Sequence, residues 1–249
     1  EESSKFNLMI FPIGDDNVVG GHKPYISYGL IALNVIIYLV QFTTPGNLVC
    51  EYATIPNDIL LGDNLHTGVT SMFLHGGWAH LLGNILYLWI FGDNIEACIG
   101  STRFLIFYLF GGVVASLAHV FFGTGTGDML NCCQICTVID PCDITSPNIQ
   151  PCPGSIPSLG ASGAIAAVMG AYLVMFPKSR IKMIAIVFGV FYVPSFLFLL
   201  FWIGQQLFSG FGSLGALSSG GVAWWAHIGG FVFGLVMGWM YRGSAKMEH

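Results

Sequence analysis

The amino-acid sequence predicts an all-α polytopic membrane protein with six transmembrane helices, on three observations. Only 8% of the 249 residues are charged and 54% are hydrophobic, whereas a soluble domain carries about 25% charged residues. Six apolar stretches reach or approach the roughly 20 residues that cross a hydrocarbon core of about 30 Å. The eight Lys and Arg residues all fall on one side of the topology that those stretches define, as expected when basic loops stay on the cytoplasmic side during insertion. The net charge is −5 with the basic residues scattered, so no nucleic-acid partner is expected.

The elements follow in order. Residues 1–24 read as a polar cytoplasmic tail holding Lys5 and Lys23, with no visible cleavable signal peptide. The core is expected over residues 25–241, with spans at Tyr25–Phe42, Val69–Phe91, Phe104–Phe122, Ala161–Phe176, Ile181–Leu207 and Val222–Tyr241. Pro-, Gly- and Asp-bearing segments separate them. Arg103 lies between the second and third spans, and Lys178, Arg180 and Lys182 lie between the fourth and fifth. Arg242 and Lys246 lie in a cytoplasmic tail at 242–249. The opposite loops hold Glu51, Asp58, Asp63, Asp128, Asp140 and Asp143, with no Lys or Arg. No internal repeat is evident, which weakens an inverted-repeat transporter reading.

Cys98 falls on the cytoplasmic side, and Cys50, Cys132, Cys133, Cys136, Cys142 and Cys152 fall outside. An oxidising outer compartment favours disulfides among them, and the pairing stays open. A metal site at Cys133-x-x-Cys136 lacks a His at ligand spacing. Residues 124–159 read as a Cys-rich outer insertion.

Polar side chains inside the spans need an explanation, because a charged group at mid-bilayer costs about 2.5–3.5 kcal/mol. Ser162, His80, Asn84 and His227 are such groups. Counting along the helices from their inner ends puts Ser162 about 8 Å, His227 about 9 Å and His80 about 10–12 Å below the outer edge. Asn84 lies one turn below His80 on the same face. Three helices thus bring a nucleophile, a base and two hydrogen-bond donors to one level. Taken singly, the serine reads as a small packing residue and the histidines and asparagine as structural contacts. One shared depth favours chemistry.

Small residues support close helix contact. Ala226, Gly230, Gly234 and Gly238 repeat every fourth residue in the last span, and Ser162, Ala166 and Gly170 do so in the fourth, with Gly163, Ala167 and Ala171 alongside. His227 is then the base for Ser162, which attacks a carbonyl. With no intramembrane Asp or Glu as a third member, the pair reads as a dyad. The Ser162 backbone N–H, Asn84 and His80 are the candidate oxyanion donors. His75 and His80 are separated by about 140° around a helix, unlike the stacked pair of a zinc protease, so neither a metal nor a cofactor is expected.

These motifs closely resemble the rhomboid family of intramembrane serine proteases. The matching residues are His75-Gly-Gly-Trp-Ala-His80-Leu-Leu-Gly-Asn84, Gly160-Ala-Ser162-Gly163 and Ala226-His227-Ile-Gly-Gly230, with Phe91-Gly-Asp-Asn-Ile-Glu96 through Gly100 to Arg103-Phe-Leu. The resemblance covers roughly residues 25–241. It implies the six-helix rhomboid fold, Ser162 as nucleophile, His227 as base, and His80 and Asn84 at the oxyanion. It also implies a structural wedge in the outer loop before the second span, and a bracing role for Glu96 and Arg103. The implied activity is cleavage of single-pass or other transmembrane proteins within or next to their spanning helix, in the lipid bilayer.

Two features depart from the family pattern. Many relatives carry an aromatic residue four positions after the nucleophile, where Ala166 stands here, so positioning of the His227 ring falls to other residues. The outer insertion is long and lies on the active-site side, where a lid is one hypothesis. The competing functions are a catalytically silent rhomboid-like scaffold that escorts transmembrane clients, and a small transporter, which would show broken helices and paired intramembrane charges. The compact six-span form suggests a bacterial inner membrane, with both termini cytoplasmic and the site opening outward.

Overall fold

The computed structural model describes residues 10–16, 23–44, 48–123, 132–133, 136, 150–152, 154–185, 189–212 and 222–244. A strand β1 (Ile10–Asp15) precedes the long helix α1 (Tyr25–Thr43). Three short helices follow: α2 (Leu48–Tyr52), α3 (Pro56–Leu61) and α4 (Thr67–Thr70), the last running into a 3-10 turn at Ser71–Phe73. Proline at the start of α3 and Gly62 in the left-handed conformation after it (φ 85°) delimit that helix. Helices α5 (Trp78–Ile99) and α6 (Ser101–Phe122) are joined by Gly100 alone, at φ 83°. A side chain would be strained in that conformation.

In the outer insertion, β2 (Cys132–Cys133) pairs in parallel with β3 (Gln150–Pro151). The chain then forms α7 (Ser162–Met175), the hairpin β4 (Arg180–Ala185) and β5 (Gly189–Pro194), α8 (Ser195–Gly212) and α9 (Trp224–Tyr241). The fold is mostly helical. Helices α1, α6 and α8 are long and apolar enough to cross a membrane. At 14 residues, α7 is about 21 Å long and too short to cross alone. It sits at the centre, with every residue from Gly163 to Tyr172 buried.

Three expectations need correction. The protein is not all-α, because β1, β4 and β5 form an antiparallel three-stranded sheet in the order β1-β4-β5. Residues 180–185 alternate buried positions with more accessible ones, and β-branched Ile181, Ile184, Val190 and Val193 suit strands better than helix. The fifth apolar stretch is therefore a hairpin followed by a helix starting at Ser195, after Pro194. The polar N-terminal tail is not all tail either, since Ile10 pairs with Ala185 and Asp15 with Ile181. Finally, the stretch Val69–Phe91 is not one helix. Leu74 is extended, Gly77 is extended at φ 162°, and α5 begins at Trp78. The 3-10 turn ends at Phe73 and the next helix begins only after the Gly76-Gly77 pair, and that helix takes in Asp93, Asn94 and Glu96.

Two buried polar clusters fasten the basic end of the bundle. Glu96 is fully buried and accepts from the Ile26 and Ser27 backbone N–H groups at 3.0 and 2.8 Å, the Ser27 hydroxyl at 2.8 Å and the Ser101 hydroxyl at 2.6 Å. One carboxylate thereby caps α1 and ties it to the α5–α6 corner. Arg103 lies on the exposed side of the first turn of α6. In the second cluster, Asp15 accepts from the Tyr172 hydroxyl and from Asn94 Nδ2 at 2.7 Å. Beside it, Arg180 pairs with Asp16 at 3.1 Å.

Burial pushes the Asp15 carboxyl up to about 7. A folded-state pKa above the unfolded value means that the folded state holds the proton more tightly, so docking of β1 is strongest in acid. It weakens as pH rises from about 4 through about 7. Hydrogen exchange of the Ile10–Asp15 amides is expected to speed up over that window beyond its intrinsic pH dependence. Asp15→Asn is expected to remove the excess. An identical profile in the variant would refute this.

Candidate active site

The site forms where α7 starts. Gly160 donates its N–H to the Ser71 carbonyl at 2.9 Å, which anchors the approach to α7. Its φ of 118° is in the left-handed region, and a Cβ there would lie 2.6 Å from His80 Cε1 and 2.7 Å from Nε2. Ala161 is the N-cap and Ser162 the first helical residue. The Ser162 N–H is therefore one of the helix-start amides with no partner inside the helix, at the positive end of the dipole.

Ser162 Oγ lies 2.7 Å from His227 Nε2 on α9. Backbone contact between α7 and α9 sets this distance. A Cβ on Gly230 would lie 2.1 Å from the Gly163 carbonyl oxygen, one on Gly234 1.9 Å from that of Ala167, and one on Gly238 2.7 Å from Ala171 Cα. From the other side, a Cβ on Gly170 would lie 2.2 Å from the Phe231 carbonyl oxygen, and one on Gly163 2.6 Å from Ala115 Cβ on α6. Glycines on both helices leave no room for anything larger.

His80 and Asn84 come from the first two turns of α5. The Gly76 N–H donates to His80 Nδ1 at 3.3 Å, so that nitrogen accepts and the proton resides on Nε2, next to Gly160. Among the described residues, Asn84 Nδ2 is buried without a hydrogen-bond partner, and it would lie 3.6 Å from a Gly160 Cβ. Two side-chain donors thus face the small space that Gly160 leaves open beside Ser162. An unsatisfied buried amide costs about 1–3 kcal/mol, a cost recovered when an acceptor arrives. His75 is fully buried, its ring edge-on to His80 with centroids 5.3 Å apart. Gln41 clamps the His75 backbone, donating to its carbonyl at 2.8 Å and accepting from its N–H at 3.1 Å.

Gly160→Ala is expected to disrupt this arrangement, because the backbone conformation and the His80 ring both oppose a Cβ. Turnover of a transmembrane reporter is expected to fall at least about 10²-fold while the chain still inserts. Wild-type turnover would contradict this geometry.

The sequence reading missed two residues on α8. Gln206 Oε1 lies 2.7 Å from His227 Nδ1, and the Trp202 ring lies against His227 with centroids 5.7 Å apart and planes at 36°. The usable signal was an amide pair, Gln205-Gln206, in an otherwise apolar run.

Among the described residues, no group of three or more His, Cys, Asp or Glu could hold a metal ion. Cys136 is joined to Cys50 in a disulfide spanning 86 residues of sequence, which removes the Cys133-x-x-Cys136 metal alternative. Cys152 is also disulfide-bonded, and Cys98 is free. Cys142 and most of the insertion that the lid hypothesis concerns lie outside the described residues.

A family model described as Rhomboid domain matches residues 63–244. Rhomboid protein 1, mitochondrial, of Saccharomyces cerevisiae is 26% identical over 229 residues, covering 91% of this chain and 56% of that protein. Rhomboid protease GluP of Bacillus subtilis is 28% identical over 184 residues, covering 72% and 29%. Presenilin-associated rhomboid-like protein A, mitochondrial, of Danio rerio is 29% identical over 167 residues, covering 63% and 34%. The chain spans from under a third to just over half of the length of these relatives. The mitochondrial yeast and fish relatives overturn the expected bacterial inner membrane, an expectation that rested only on the compactness of the core.

Proposed function

The chain belongs to the rhomboid family of integral membrane proteins, and from that membership we propose that it is an intramembrane serine endopeptidase. It cleaves membrane-anchored proteins within or next to their transmembrane helix. The observation that carries the reading is the 2.7 Å contact of Ser162 Oγ with His227 Nε2, beside two side-chain donors turned to one small space.

In the proposed reaction, the Ser162 hydroxyl passes its proton to His227 Nε2 as Oγ attacks the scissile carbonyl carbon. The Ser162 N–H, His80 Nε2–H and Asn84 Nδ2 stabilise the resulting oxyanion. His227 then gives the proton to the departing amine, leaving an ester on Ser162. Water, deprotonated by His227, hydrolyses that ester and restores the hydroxyl. Gly160, Gly163 and Gly230 supply the clearances, Glu96 braces the basic end, and six spans over residues 25–241 hold the site below the membrane surface.

The mitochondrial relatives favour the mitochondrial inner membrane. The basic residues would face the matrix, and the site and the Cys50–Cys136 disulfide would face the opposite side. The test is cleavage of a transmembrane reporter in proteoliposomes, together with fluorophosphonate labelling. Wild type is expected to cleave and to be labelled, and Ser162→Ala to do neither. Cleavage retained in Ser162→Ala would sink the mechanism. Absence of both activities from the intact chain would point instead to a silent scaffold that binds transmembrane clients.

A further inference from the structure

The geometry points to Gln206 as a positioning residue for His227: its amide carbonyl holds the imidazole in the tautomer that can accept the Ser162 proton. The inference rests on reading Ser162 and His227 as the catalytic pair.

Gln206 is 5% exposed, on a helix whose outer face carries Phe201 at 76% and Phe208 at 84% exposure. An amide buried in such apolar surroundings is costly unless it is hydrogen-bonded. Its Oε1 lies 2.7 Å from His227 Nδ1. A carbonyl oxygen only accepts, so Nδ1 carries the proton of the neutral ring. Nε2 is then left with its lone pair toward Ser162 Oγ, 2.7 Å away. The other tautomer would set two lone pairs against each other at Nδ1 and turn an N–H toward the nucleophile.

The same helix fixes the ring plane. Trp202, one turn before Gln206, lies 5.7 Å from the His227 ring at 36°, while Trp224, on α9 itself, meets it edge-on at 6.4 Å and 89°. Ala166 on α7 is fully buried and has no ring to offer. Helix α8 therefore provides both restraints that the nucleophile helix does not. A neutral amide stabilises the imidazolium less than a carboxylate would, but it avoids burying a charge in an apolar site.

The test uses the full chain in proteoliposomes with a transmembrane reporter, reading kcat, KM, the pH–rate profile and thermal unfolding. Gln206→Met keeps the volume and removes the acceptor. Its kcat is expected to fall about 10–100-fold, as for a lost orienting partner, with KM nearly unchanged. Gln206→Glu restores an acceptor and adds charge. It is expected to recover most of the rate and to move the acid limb of kcat/KM to higher pH, because a carboxylate favours the imidazolium.

Among the described residues, His80 and His119 are the other ionisable groups that face His227. Both are unchanged in these variants, so a shifted limb reports position 206. Wild-type kcat in Gln206→Met overturns the role. So does a Gln206→Glu variant more than tenfold slower than wild type with an unshifted limb, and that comparison with wild type decides the matter if the Met variant unfolds. Cleavage surviving in Ser162→Ala would defeat the protease reading itself. A dead Ser162→Ala beside a fully active Gln206→Met defeats only the positioning role.

Discussion

His227→Ala is expected to lower kcat/KM for a transmembrane reporter by at least about 10³-fold, about 4 kcal/mol of transition-state stabilisation. A serine hydroxyl is a poor nucleophile unless a base takes its proton during attack. Among the described residues, the base at Ser162 Oγ is His227 Nε2, at 2.7 Å. The expected loss lies in kcat rather than KM, because the imidazole acts on the proton and not on substrate docking. His227→Ala and Ser162→Ala should be almost equally inactive, and the double variant hardly worse, since the two groups act as a unit. Thermal unfolding of each protein in detergent separates lost chemistry from lost fold. A folded His227→Ala chain within tenfold of wild-type turnover would exclude it as the base.

Gly230→Ala should inactivate by a different route. The added Cβ would lie 2.1 Å from the Gly163 carbonyl oxygen, a backbone atom one residue beyond Ser162. Ordinary contact requires about 1 Å more, and neither helix can yield by turning a side chain. Helix α9 must move away from α7, carrying His227, which lies three residues earlier and so less than one turn away. A displacement of about 1 Å takes the Ser162–His227 contact out of hydrogen-bond range, with an expected loss of about 10²-fold or more in kcat. Overpacking is expected to lower stability by about 1–3 kcal/mol. Helices in lipid associate through close packing rather than hydrophobic expulsion, so this contact has little to replace it. Turnover and unfolding temperature should therefore fall together, whereas His227→Ala should affect turnover alone. Full activity in Gly230→Ala would show that α7 and α9 are not locked at this distance.

Much of this was legible in the sequence because membrane helices obey simple rules. Scarce charges marked a membrane protein, four-residue glycine spacing marked the α7–α9 contact, and polar side chains within apolar stretches singled out Ser162, His227, His80 and Asn84. Those inferences need only helix rise, bilayer thickness and the absence of side chains at glycine. The same rules misread residues 180–185 and 189–194, where hydropathy is high but the backbone is extended, and residues 69–77, where Gly76-Gly77 breaks an apolar run. Hydropathy reports burial and not backbone geometry.

By itself the sequence determined that this chain is an integral membrane protein of the rhomboid family, and it singled out Ser162, His227, His80 and Asn84 as polar residues within apolar stretches. Only the tertiary structure decided which of them touch. It turned the N-terminal segment into a strand on β4, set Glu96 under the start of α1, and placed Gln206 and Trp202 against His227. The reason is physical. Depth and spacing are properties of single helices, whereas the rotation of α8 about its axis, which brings Gln206 to Nδ1, is set by all of its neighbours together.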